Sequence, residues 1–101
     1  MSALEINKTI EGGKAVFRPE GEINTNTAPE FEKELDAVLS DVTELVIDFE
    51  KVTYVSSAGL RVVIAAYTEL NGKAEMKLIN MNESVRDVFE LTGFADYVKI
   101  E

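Results

Sequence analysis

An α/β domain built on a mixed β-sheet is the fold class this sequence predicts, and three observations predict it. Apolar residues alternate with polar ones on both sides of a Gly12-Gly13 pair, the pattern of an antiparallel hairpin. From Thr25 onward, segments with helical spacing alternate with short apolar runs, which describes β–helix–β crossovers and parallel neighbouring strands. The chain has 101 residues, 46% hydrophobic and 29% charged, enough for one unit, 1–101, with a core of its own.

The elements follow in order. Leu4, Ile6, Lys8 and Ile10 alternate as in a half-exposed strand, "EGGK" turns the chain, and "AVF" resumes the extended backbone. Pro19 has no amide donor, so the second strand is expected to end near it or to be exposed there. "TNTAPEFEKELDAVL" reads as a helix, with Phe31, Leu35, Val38 and Leu39 on one face. Thr27 and Glu30 have the spacing of a capping box, and Pro29 falls in the first turn, where it is tolerated. "ELVIDF", Glu44–Phe49, is a continuous apolar run, expected to be a central strand covered on at least part of both faces. "SSAGLRVVIAAYTELNG" is the second helix, its stripe made by Leu60, Val63, Ile64 and Tyr67, with Asn71-Gly72 as the stop. A strand over Ala74–Met81, a helix in "NESVRDVFELTGF" with Val85, Val88 and Phe89 inward, and a last strand in Tyr97–Ile100 complete the chain.

Composition excludes several functions. The net charge of −9 repels nucleic-acid phosphates and anionic lipid, and no basic cluster offsets it, so neither nucleic acid nor membrane is an expected partner. No apolar run approaches the ~20 residues of a membrane span, and no leader pattern opens the chain. Cysteine is absent, which makes the cytoplasm the expected location. Histidine is absent too, removing the usual general base and the commonest metal ligand. An enzyme is not expected, nor are a metal or cofactor.

One junction stands out. "YVSSAGLR" places Ser56 and Ser57 after an extended stretch, at the start of a helix. In open α/β sheets, sites lie outside the carboxyl ends of parallel strands, at such starts. A serine there is a good N-cap, and that is one reading. Gly59 in the first turn costs about 1 kcal/mol relative to alanine, which points to something needing a surface without a side chain. The segment has neither P-loop nor dinucleotide glycine spacing, and "SSAGL" is not a nucleophile elbow.

"VIDFEKVTYVSSAGLRVVIAA" resembles the signature of the STAS domain, specifically of the bacterial anti-sigma-factor antagonists. "GEINTNTAPEFEKEL" and "SVRDVFELTGFADYVKI" are similar to two further motifs of that family, in the same order along nearly the whole chain. The resemblance implies a STAS-like domain that is a substrate rather than a catalyst. Its unmodified form would bind a kinase-like anti-sigma factor and free the sigma factor. That partner would phosphorylate Ser57 from ATP, and a separate serine phosphatase would reverse it. The chain departs from the family at two positions, with Ser56 and Asn24 standing where aspartates are usual, so Ser56 is either a competing acceptor or the cap. The expected partner surface is Asn24, Thr25, Ser56, Ser57, Ala58, Gly59 and Arg61, with the small residues at 58 and 59 admitting a close approach. The alternative is a constitutive STAS scaffold, in a stressosome-like or transporter-associated assembly, whose serine is never modified.

Overall fold

The computed structural model describes residues 4–101; the first three residues of the expected 1–101 unit lie outside it. β1 (Leu4–Glu11) and β2 (Lys14–Ile23) form the antiparallel hairpin. Glu11 pairs with Lys14 across Gly12 and Gly13, whose φ values of 54° and 92° only glycine adopts freely. The remaining elements are α1 (Ala28–Asp36), β3 (Glu44–Asp48), β4 (Val52–Val55), α2 (Ser57–Leu70), β5 (Glu75–Ile79), α3 (Glu83–Leu91), a 3₁₀ turn (Phe94–Asp96) and β6 (Lys99–Ile100). The sheet runs β1-β2-β3-β5-β6, with β4 also beside β2, and every pairing except β1–β2 is parallel. This is the mixed sheet the sequence predicts.

Two local expectations are corrected and one strand is added. β2 neither ends at Pro19 nor exposes it; the strand continues to Ile23 and Pro19 is buried. On the side away from β1, β2 pairs with β3 through Phe17 and with β4 from Gly21, so Pro19 occupies the gap between two partners, where a missing amide is harmless. The stretch Val52–Val55 is a strand of its own, taking over β2 after a turn closed by Val52 N–H donating to the Phe49 carbonyl at 3.0 Å. α1 stops at Asp36, although Val38 and Leu39 remain buried in the turn beyond it.

The core lies on one face of the sheet. Ala15, Leu45 and Met76 share one row across it, and Phe17, Ile47 and Leu78 the next. The three helices all deliver side chains into this cluster, among them Phe31 and Leu35, Leu60 and Val63, and Val85 and Phe89. Edge-to-face aromatic pairs stitch the layers, Phe31 on Phe17 and Phe89 on Phe49 with ring centroids 6.4 and 5.8 Å apart. β3 is thus covered by helices on one face only, against the expectation of partial cover on both. Val46, on the opposite face, is nevertheless only 5% exposed. Its register neighbours Val16 and Lys77 flank it, and the stem of a lysine shields apolar surface well.

Candidate functional site

β2 and β4 end side by side. Ile23 pairs with Val55, and the Ser56 amide donates to the Ile23 carbonyl at 2.8 Å. Two chain segments therefore leave the sheet together at the carboxyl ends of parallel strands: the loop Asn24–Thr27 leading to α1, and the Ser56-Ser57 entry to α2.

The first loop is held from within. The Asn24 side-chain oxygen accepts the amides of Asn26 and Thr27 at 2.9 and 3.1 Å, an Asx turn. The Thr27 hydroxyl accepts the Asn24 amide and donates to the Glu22 carbonyl, both at 2.8 Å. Thr27 is 4% exposed, so this hydroxyl satisfies two backbone groups from a buried position. It makes no cap bond to α1, and the capping box expected from the Thr27/Glu30 spacing does not form because the hydroxyl is committed to the loop. Thr27→Val keeps the shape and orphans both partners, so it is expected to cost ~1–3 kcal/mol in chemical denaturation. A variant as stable as the parent would show that water replaces the hydroxyl.

At the second segment the two serines part company. Ser56 is the N-cap: its backbone is extended at φ −87°, ψ 176°, and its hydroxyl accepts the Gly59 amide at 3.4 Å. Ser57 is the first residue of α2 and is exposed, with its hydroxyl in no hydrogen bond among the described residues. The first turn of α2 carries no acidic side chain, so the partial positive charge of its free amides is unopposed there.

Around Ser57 the expected partner residues divide by exposure. Thr25 and Arg61 are exposed, Asn24, Ser56 and Ala58 are half-buried, and Gly59 is buried. Gly59 has an internal reason to be glycine rather than the partner approach expected from the sequence. A Cβ at this position would stand 2.7 Å from Ile23 Cγ2, 2.9 Å from the Ile23 carbonyl oxygen and 3.0 Å from Val55 Cγ1. α2 is therefore packed against the end of β2 at backbone contact. Leu60 is 6% exposed and belongs to the core, as its place on the apolar stripe predicts.

Two contributors escaped the sequence reading. Tyr54 is 46% exposed beside the Ile23–Val55 pair; its signal is an aromatic lying between Val52 and Val55 just before the junction. Asn82 caps α3 by accepting the Val85 amide at 2.8 Å and donates to the Val52 carbonyl at 3.2 Å, tying the next helix start to β4. The Asn82-x-x-Val85 spacing carries the cap, but nothing in it points to β4. Among the described residues no cluster of acidic groups could hold a metal, and no helix is long and apolar enough to cross a membrane.

With this geometry in view, comparison with known proteins is specific. A family model described as the STAS domain matches residues 5–101. A Bordetella bronchiseptica protein described as an anti-sigma factor antagonist, BtrV, is 38% identical over 77 residues, which is 74% of this chain and 66% of that one. An anti-sigma-B factor antagonist of Listeria monocytogenes is 31% identical over 83 residues, 80% of this chain and 73% of that one. The crystal structure of an anti-sigma factor antagonist from Mycobacterium paratuberculosis superposes with a TM-score of 0.89 at 28% identity, covering 96% of this chain and 84% of the other.

Proposed function

This chain belongs to the STAS domain family, and on that premise we propose that it is a cytoplasmic anti-sigma factor antagonist whose binding is switched by phosphorylation of Ser57. One observation carries the reading: Ser56 takes the capping role at the start of α2 and leaves the Ser57 hydroxyl exposed. The names of its relatives supply the partner class, an anti-sigma factor.

The partner surface is centred on Ser57, with Thr25 and Arg61 exposed around it and Asn24, Ser56 and Ala58 half-buried between. Tyr54 adds an exposed aromatic of the kind enriched in binding hot spots. The partner is a kinase-like anti-sigma factor that brings its own ATP. The Ser57 oxygen forms a bond to the γ-phosphorus as the bond from that phosphorus to the β-phosphate's bridging oxygen breaks. ADP leaves and the hydroxyl proton passes to a base of the kinase. A serine phosphatase returns the hydroxyl by hydrolysis, releasing inorganic phosphate. The free amides of α2 accommodate the added charge, so the fold has no reason to open.

The test incubates the protein with ATP and the kinase-like anti-sigma factor and maps the product by mass spectrometry. One phosphate at Ser57 is expected, lost entirely in Ser57→Ala and retained in Ser56→Ala, which loses only a cap worth about 1 kcal/mol. A phosphate that survives Ser57→Ala and vanishes in Ser56→Ala moves the acceptor. Absence of label in every variant leaves the constitutive scaffold as the function.

A further inference from the structure

Resting on Ser57 as the phosphoacceptor, we propose that Arg61 is the intramolecular receptor of the phosphate, holding it over the start of α2 and withdrawing the one cation of the partner surface.

Ser57 and Arg61 are four residues apart on a continuous α-helix, which stacks them on one face roughly 5–6 Å apart at Cβ. Both are exposed, while Leu60, Val62 and Val63 between and beside them turn inward. Helical side chains tilt toward the N-terminus, so the arginine covers the turn before its own Cα, which is the turn that Ser57 opens. The phosphate therefore arises within reach of the guanidinium.

Arg61 is also uncommitted. Lys8, Lys51, Lys77, Arg86 and Lys99 each have a carboxylate within 4.0 Å, but among the described residues the Arg61 guanidinium has neither an ion pair nor a hydrogen bond. The one acidic residue of α2, Glu69, is in its last turn. β4 and the Asn24–Thr27 loop carry no charged side chain; of the elements that meet α2, β2 carries Glu22 near its end, α1 carries Glu30, Glu32, Glu34 and Asp36, β5 carries Glu75, and α3 carries Glu83, Asp87 and Glu90, none of them in an ion pair with Arg61. In a chain with net charge −9, an arginine without a carboxylate partner has no competitor for a new anion. Its planar fork matches two phosphate oxygens, which a lysine ammonium does not. The rest of the helix start is neutral, so the phosphate meets the free amides and this one cation.

The experiment installs phosphoserine at position 57 during translation, by suppression of an amber codon, so the phosphate is present whether or not any kinase adds it. Its ³¹P resonance is titrated from about pH 4 to 8, a range bracketing the usual second ionisation near 6. The parent is compared with Arg61→Ala and Arg61→Lys, both exposed substitutions that leave the core intact. The parent midpoint is expected about half a pH unit below that of Arg61→Ala, with Arg61→Lys between them. The Arg61 Nε–H resonance should move with the same midpoint, and the difference should shrink in concentrated salt. Coincident midpoints in the parent and Arg61→Ala would overturn the proposal while leaving Ser57 as acceptor untouched. Failure of kinase labelling would remove the acceptor reading without altering this measurement.

Discussion

Phosphorylated at Ser57, the protein is expected to bind its anti-sigma partner about 100-fold more weakly than the unmodified chain. The modification adds about −1.5 to −2 charges at neutral pH, and those charges must lose water to enter a surface shaped for a hydroxyl. A penalty of roughly 3 kcal/mol is ordinary for such a group, and each 1.4 kcal/mol is a factor of ten in affinity. The domain itself should be indifferent. Ser57 is exposed, the Ser56 cap and its bond to the Gly59 amide do not involve it, and the helix start favours an anion. Calorimetric titration of both forms into the anti-sigma factor gives the affinities, and thermal melts of the same samples give the stabilities. Affinities within threefold of each other would remove the switch. A phosphorylated form that melts well below the unmodified one would show that modification acts by unfolding rather than by the interface.

The second large effect falls on Gly59. Gly59→Val is expected to destabilise the fold by about 3 kcal/mol or more, and Gly59→Ala by about 1–2 kcal/mol. Alanine regains ~1 kcal/mol of helix propensity, yet its Cβ would sit 2.9 Å from the Ile23 carbonyl oxygen, a backbone atom held in the β2–β4 pairing. Relief requires α2 to lift from the end of β2, and that displaces the Ser56 bond to Ile23 and with it the whole site. For a domain of this size each kcal/mol lowers the melting temperature by roughly 4–8 °C. Urea melts with unchanged slope and a lower midpoint are the expected signature. An alanine variant at least as stable as the parent would mean that the helix shifts at no cost, and that the glycine serves the partner after all.

Much of the architecture was legible because its signals are local. Gly12-Gly13 between alternating strands specifies the hairpin turn, Phe31 and Leu35 mark one face of α1, and Leu60, Val63 and Tyr67 mark α2. The same holds for the position of the site, since a strand followed by Ser-Ser at a helix start places it at the sheet's carboxyl edge. The errors share another character. The limit set at Pro19 assumed one neighbour for β2, whereas β2 exchanges β3 for β4 at that residue. The capping box assumed that Thr27 serves the helix it precedes, whereas its hydroxyl bonds back to Glu22 and Asn24.

By itself, then, the sequence determined the order and kind of the elements, the apolar face of each helix and the presence of hydroxyls at one helix start. These depend on spacing and turn chemistry among residues a few positions apart. Only the tertiary structure decided which serine is the cap and which is free, why position 59 excludes a side chain, and how Val46 stays covered without a helix above it. The first turns on the backbone angles of Ser56 and the other two on the register between strands distant in the chain, and a backbone angle or a neighbour's carbonyl has no signature in the residue that meets it.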